Sequence, residues 1–382
     1  MDIIVKYIDE LLEKSTPDAP MWNIEKIRDG GVKSNWNYID GVMIKAVLQM
    51  YDVTKDEKYL KFADDFIDYR VHEDGTIEGY SVGEKNIDNV NAGKTLFELY
   101  DLTGKEKYRK AIDLVYSQIE IMPRCNNEAR SFWHKDIYPN QVWLDGLYMG
   151  LPFYLEYETR YNDRKNYSDI FGQFKFVIEN MRNPINGLYF HAMDTSREAF
   201  WCDKVTGLSQ HSWLRAIGWY TMALIDTLDQ VDNKDHKYDA ECKMLEDAFK
   251  DLVDSMLKYQ DESGMWYQVV NYGGMDKNYL ETSGSSIMAY ALLKAVRLGY
   301  LSDDYAQYAK KAIDGICERY LKTNEDGSLS LGGICLVAGL GGNGRRPGTY
   351  DYYMSEPIVE DDAKGVGPFL LAYTELLRYE NK

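Results

Sequence analysis

YDVTKDEKYLKFADDFI, residues 51–67, and YDLTGKEKYRKAIDLVY, residues 100–116, are two copies of one pattern. Each carries the end of one helix, a short polar turn and the start of the next. Fainter copies begin at Tyr161 (YNDRKNYSDIFGQF) and at Gly299 (GYLSDDYAQYAKKAI), so that Tyr59, Tyr108, Tyr167 and Tyr305 hold equivalent places. A recurring unit of this size cannot bury its apolar face alone and must stack on its neighbours.

Working outward, helical periodicity divides the chain into two alternating sets. One set is amphipathic, near 2–14, 56–69, 105–122, 165–181, 236–259 and 303–321. In the third of these, Tyr108, Ile112, Val115, Ile119 and Met122 form an apolar stripe, with Lys107, Arg109, Asp113 and Gln118 expected to face away. Such helices belong on the outside. The other set is apolar almost all round, near 38–51, 89–100, 143–158, 212–229, 282–298 and 363–379, and reads as buried. Six outer–inner hairpins that close on themselves make an all-α (α/α)6 toroid; an open solenoid would need capping repeats, and neither end carries one. Pro152 and Pro368, in the settings GLPF and VGPF, are expected to kink or shorten their inner helices.

The connections are asymmetric. Inner-to-outer turns are short, such as 52–55 and 101–104, whereas outer-to-inner connections are long, roughly 15–37, 70–88, 122–142, 182–211, 260–281 and 322–362. All the long ones must gather where inner helices begin. Several pair a turn with an apolar alternation (DGTIEGY, NGLYFHAM, SGMWYQVV, DGSLSLGG), which suggests short strands rimming a pocket. Long loops on a rigid scaffold are where function usually sits.

Composition narrows the function. No linker or compositional shift divides the chain, so residues 1–382 read as one catalytic domain. A net charge of -18 argues against nucleic acid or an anionic membrane as partner. The amphipathic start MDIIVKYIDELLEKS lacks the apolar core of a secretory signal, and no stretch is long enough to span a bilayer. Five widely spaced cysteines without a CxxC read as free thiols of a cytoplasmic protein. With no HExxH, P-loop or Rossmann glycine pattern, neither metal nor cofactor is expected.

All eight tryptophans lie in the long loops or in the first two turns of inner helices. They could fill the barrel mouth as core, but as a set they suit a cleft that stacks on sugar rings. The inner helices also open with charged and aromatic groups: Tyr38 in NWNYIDG, Asp88 in NIDNVNAGK, and His134, Trp143 and Asp145 in SFWHKDIYPNQVWLDGLYMG. His191 follows in GLYFHAMD, and Trp213, Arg215 and Trp219 in HSWLRAIGWY. Asp88 could simply cap a helix. Asp145 is a poor cap, because the apolar helix continues past it, and a carboxylate there needs a reason. The histidines could be satisfied core residues, and Glu281, before Thr282 and Ser283, reads as a cap. Arg215 in an apolar helix requires an anion, either a structural carboxylate or one on a ligand. Helix N-termini facing the cleft favour an anionic ligand despite the acidic total.

The stretches NIDNVNAGKTLFELYDLTG, FWHKDIYPNQVWLDGLYMG, GLYFHAMD, LSQHSWLRAIGWY and YYMSEPIVEDDAKGVGPFLLA closely resemble glycoside hydrolase family 105, the unsaturated rhamnogalacturonyl hydrolases. The unsaturated glucuronyl hydrolases of family 88 are more distant. The resemblance runs from about Trp36 to the C-terminus and implies an (α/α)6 barrel. It makes Asp145 the general acid/base and Asp88 its carboxylate helper. Tyr38, His134, Trp143, His191, Trp213, Arg215 and Trp219 become substrate contacts. The implied substrate is a small oligosaccharide ending in a 4,5-unsaturated uronic acid, most simply unsaturated galacturonyl-rhamnose from lyase-treated pectin, and the implied reaction is hydration of the C4=C5 bond. Other readings stay open: an unsaturated glucuronyl hydrolase, or a conventional inverting glycosidase with carboxylates roughly 6.5–9.5 Å apart. So do a sugar epimerase on the same toroid and a non-catalytic sugar-binding module.

Overall fold

The computed structural model describes residues 3–31 and 33–381. Six outer helices are α1 (Ile3–Glu13), α3 (Glu57–Asp68), α5 (Glu106–Ile121), α7 (Tyr167–Asn180), α9 (Asp239–Leu257) and α11 (Ala306–Tyr320). Six inner helices alternate with them: α2 (Tyr38–Thr54), α4 (Lys94–Thr103), α6 (Leu144–Tyr161), α8 (Leu214–Gln230), α10 (Thr282–Leu298) and α12 (Ala363–Glu380). Successive inner helices pack on one another, the 3-10 turn Ile87–Gly93 that leads into α4 making the contact with α6, and α12 returns to α2, so the ring closes as an (α/α)6 toroid. A Cβ on Gly284 would meet Leu214 Cγ at 2.3 Å, and one on Gly367 would meet Val42 Cγ1 at 2.7 Å. Glycine lets the inner helices come this close, and at Gly367 it lets the circle shut.

Local chemistry explains the elements. In α10 every residue from Thr282 to Val296 is buried, as its apolar run IMAYALL (287–293) and the small residues before it allow. The short inner-to-outer turns end helices in the left-handed conformation, at Lys55 (φ 55°) and Gly104 (φ 67°). The repeated tyrosines stitch successive outer helices together. Tyr59 donates to Asp9 of α1 (3.0 Å), Tyr108 to Asp64 of α3 (2.6 Å), and Tyr305 to Asp254 of α9 (2.9 Å). Tyr167 departs from the rule and meets Thr159 and the Asp232 N–H.

Three details differ from the sequence reading. The second inner helix does not begin at residue 89: a 3-10 turn, Ile87–Gly93, precedes α4. Lys107 and Gln118 are buried rather than facing away. Their polar ends hold the long loops that descend over α5, Lys107 through the Val71 carbonyl (2.9 Å) and Gln118 through the Asn86 carbonyl (2.8 Å). Neither proline cuts its helix short, for α6 runs through Pro152 and α12 through Pro368.

The long loops meet at one end and carry short antiparallel pairs: β1 (Gln141–Trp143) with β2 (Ala192–Asp194), β3 (Leu321–Thr323) with β4 (Leu329–Leu331), and β5 (Ile334–Cys335) with β6 (Ile358–Val359). Among the described residues, no helix is long and apolar enough to cross a membrane.

Candidate active site

Two pieces of backbone pairing build the site. Strand β1 runs directly into α6, and its register sets Trp143 opposite Ala192, with the Leu144 N–H donating to the His191 carbonyl (3.1 Å). Asp145, on the first turn of α6, therefore faces His191: Oδ2 lies 3.4 Å from Nε2. The pair is close but is not aligned as a hydrogen bond, and neither atom has a hydrogen-bond partner among the described residues. His191 is fully buried while the Asp145 side chain keeps 14% of its surface, so the carboxylate is the member that opens to solvent. On the far side of the ring, His191 Nδ1 is 2.8 Å from the Tyr353 hydroxyl.

The second carboxylate is held in the same manner. Asn86 bridges Lys135, and the Ile87 N–H donates to the His134 carbonyl (3.2 Å). Asp88 therefore sits beside both side chains, with Oδ2 2.7 Å from Lys135 Nζ and Oδ1 3.5 Å from His134 Nε2. Asn86, not Asp88, caps the 3-10 turn, which answers the capping alternative. Burial pushes the Asp88 carboxyl upward, but the field and hydrogen bond of Lys135 prevail and hold it below the usual carboxylate range. His134 itself is pulled down to about 4, first by burial, and is neutral near pH 7.

Trp143 stands between the two pairs. His134 stacks on it with ring centres 4.5 Å apart and planes 5° apart, Tyr138 stacks on it at 5.1 Å, and His191 meets it edge-on at 5.3 Å. A cavity of about 230 Å³ opens over this cluster. Tyr38, Asp88, His134, Trp143 and Asp145 line it, joined by Glu25, Lys135, Tyr138, Met149, Val337, Ala338 and Arg346. An aromatic face between two carboxylates, with donors around it, suits a sugar ring and proton transfer to it.

The other sequence candidates stand behind this wall. His191 reaches the cavity only through Asp145. Trp213 is buried and donates to Gln268 Oε1 (3.1 Å). Arg215 is 1% exposed, donates from Nε to Ser283 Oγ (2.7 Å) and from Nη2 to the Cys335 carbonyl, and lies 3.6 Å from Glu281. Glu281 caps α10, accepting from the Gly284 N–H (2.8 Å). Trp219 stacks on Tyr148 inside the barrel, 5.0 Å between ring centres. The expected wall of tryptophans reduces to Trp143. The rest mostly fasten loops: Trp22 donates to Asp40, Trp36 to the Asn89 carbonyl and Trp266 to the Met256 carbonyl. Lys135, Tyr138, Arg346 and Tyr353 were missed by sequence reasoning. Lys135 and Tyr138 lie inside the motif around His134, and Tyr353 inside YYMSEPIVEDDAKGVGPFLLA, where adjacency was the available signal; Arg346 is in the long last loop and carried none.

A family model described as Glycosyl Hydrolase Family 88 matches residues 16–380. The chain is similar to the family 105 glycoside hydrolase of C. acetobutylicum ATCC 824, at 44% identity and a TM-score of 0.86, over 95% of this chain and 99% of that one. It is 40% identical to Protein Atu3128 of Agrobacterium fabrum, over 60% of this chain and 98% of that one. It is 25% identical to the unsaturated rhamnogalacturonyl hydrolase YesR of Bacillus subtilis, over 77% of this chain and 78% of that one.

Proposed function

The chain belongs to glycosyl hydrolase family 88, and from that membership we propose that it releases 4,5-unsaturated galacturonic acid from lyase-generated rhamnogalacturonan oligosaccharides by hydrating the C4=C5 bond. The observation that carries this reading is the pair of carboxylates, Asp88 and Asp145, each with its own histidine, bordering one cavity around Trp143. The similarity to YesR supports the choice of a galacturonyl substrate.

In this mechanism Asp145 donates a proton to C4, and positive charge develops at C5 and the ring oxygen. Asp88, kept ionised by Lys135, stabilises that charge. Asp145, now the base, takes a proton from the water that attacks C5. The product is a hemiketal, which opens and releases the aglycone. Tyr38, His134 and Trp143 bind the sugar. His191 orients Asp145, and Trp213, Arg215 and Trp219 act from behind, keeping the wall in place. The wide spacing of the five cysteines, with no CxxC, supports a cytoplasmic setting, which would make imported disaccharides the substrate.

The test is a panel of lyase-generated unsaturated disaccharides that differ in their second sugar, followed by loss of double-bond absorbance. The rhamnose-linked compound is expected to have the highest kcat/KM. A panel turned over best with glucuronyl compounds would move the substrate class, and no turnover of any member would end the reading.

A further inference from the structure

The segment AGLGGNGRRPG, residues 338–348, has no part in the roles above. It forms a tight hairpin in which Gly341 and Arg346 exchange both backbone hydrogen bonds, at 2.8 and 3.1 Å. Gly341 and Gly342 take φ of +63° and +68°, a conformation glycine adopts without strain. A Cβ on Gly339 would lie 2.6 Å from Arg346 Nη1, and one on Gly342 would lie 2.9 Å from the Tyr138 hydroxyl oxygen. The glycines therefore clear the space in which the guanidinium rests against Tyr138.

Charge accounting singles out this arginine. Lys135 and Arg346 are the cations on the cavity wall. Lys135 is already neutralised by Asp88 at 2.7 Å. Arg346 instead donates to neutral oxygens, the Tyr138 hydroxyl (2.9 Å) and the Gly341 carbonyl (3.3 Å), and Glu356, the carboxylate that feels its field, forms no salt bridge with it among the described residues. Arg215 is committed to Ser283, Cys335 and Glu281 and does not line the cavity.

We propose that Arg346 binds the carboxylate of the unsaturated uronic acid and that the glycine hairpin serves to deliver it, a proposal that rests on the reading of the cavity as an unsaturated uronide site. A guanidinium fork matches a carboxylate in two parallel hydrogen bonds, which a point charge does not. That carboxylate is attached to C5, so gripping it fixes the plane of the C4=C5 bond. Tyr138 links the grip to the Trp143 face on which it stacks, two residues from Asp145.

The experiment compares unsaturated galacturonyl-rhamnose with its methyl ester, for the wild type and for Arg346→Met, Arg346→Lys and Gly339→Ala. Arg346→Met is expected to lose about ten- to hundredfold in kcat/KM on the acid, chiefly through KM, as for a lost hydrogen bond to a charged group. On the ester it should match the wild type. Arg346→Lys should recover only part of the loss. Gly339→Ala, which keeps the charge and displaces the fork, should fall in the same direction on the acid alone. An equal loss of Arg346→Met on acid and ester would make Arg346 a scaffold for Tyr138 and overturn the proposal. Full activity of that variant on the acid would overturn it too, placing the carboxylate elsewhere. If the wild type turned over neither compound, the functional reading itself would fall, and this proposal with it.

Discussion

Lys94 Nζ donates to the carbonyl of Tyr148 at 3.1 Å and so replaces the donor that Pro152, four residues further along α6, cannot supply. The ammonium also lies 3.4 Å over the Tyr148 ring. This contact explains how α6 continues through its proline. Its cost is a buried amine, which burial pulls down from 10.5 to about 7. Between those values the unfolded chain holds a proton that the folded chain does not, so this group's contribution to stability rises with pH across that window. Lys94→Met is therefore expected to destabilise by about 1–3 kcal/mol at alkaline pH, the cost of an unsatisfied buried carbonyl. The difference from wild type should shrink as pH falls toward neutrality. Urea midpoints of the two proteins across this range measure it, and a gap independent of pH would count against the assignment.

Asp145→Asn preserves shape and removes the proton. The variant should fold normally and lose at least about a hundredfold in turnover, the low end for general acid–base catalysis. Near-normal turnover in a folded variant would take Asp145 out of the mechanism.

Lys135→Met removes the nearest cation from Asp88, which that cation helps hold below its usual range. The Asp88 carboxyl should move up, and the acid limb of the pH profile of kcat/KM should move up with it. An unmoved limb would mean that Asp88 does not need to be ionised.

Arg215→Lys exchanges a buried fork shared with Ser283 and Glu281 for a point charge. A loss of about 1–3 kcal/mol in stability is expected, with the activity of the folded molecules retained. Strong loss of activity on the uronic acid, but not on its ester, would instead make Arg215 the carboxylate partner.

The order of bond changes can be read directly. In deuterated, oxygen-18-enriched water, hydration should place deuterium at C4 and the oxygen label at C5 of the first product, seen by NMR. Label at C1 with the double bond intact in the released sugar would identify a conventional glycosidase.

The helices and their ring were legible because a helix's fate is written in short-range periodicity. The run IMAYALL in α10 (287–293) is apolar on every face and can only be buried, and the repeat begun at Tyr51 and Tyr100 forces neighbours to stack. Asp145 was legible for a related reason, as a carboxylate followed by the uncharged, mostly apolar stretch 146–155 of its helix.

Which loop side chains face the cavity was decided by contacts between segments far apart in sequence. The pairing of β1 with β2 turns Asp145 toward His191, and the bridge from Asn86 to Lys135 brings Lys135 to Asp88. A glycine hairpin lays Arg346 against Tyr138, 208 positions away. Composition marked the tryptophans for the mouth, but only packing separated Trp143, which lines the cavity, from Trp22, Trp213 and Trp266, which are buried and do not line it. A side chain's period tells which face of its own helix it occupies; what stands opposite depends on how distant loops pair, and no local pattern carries that information.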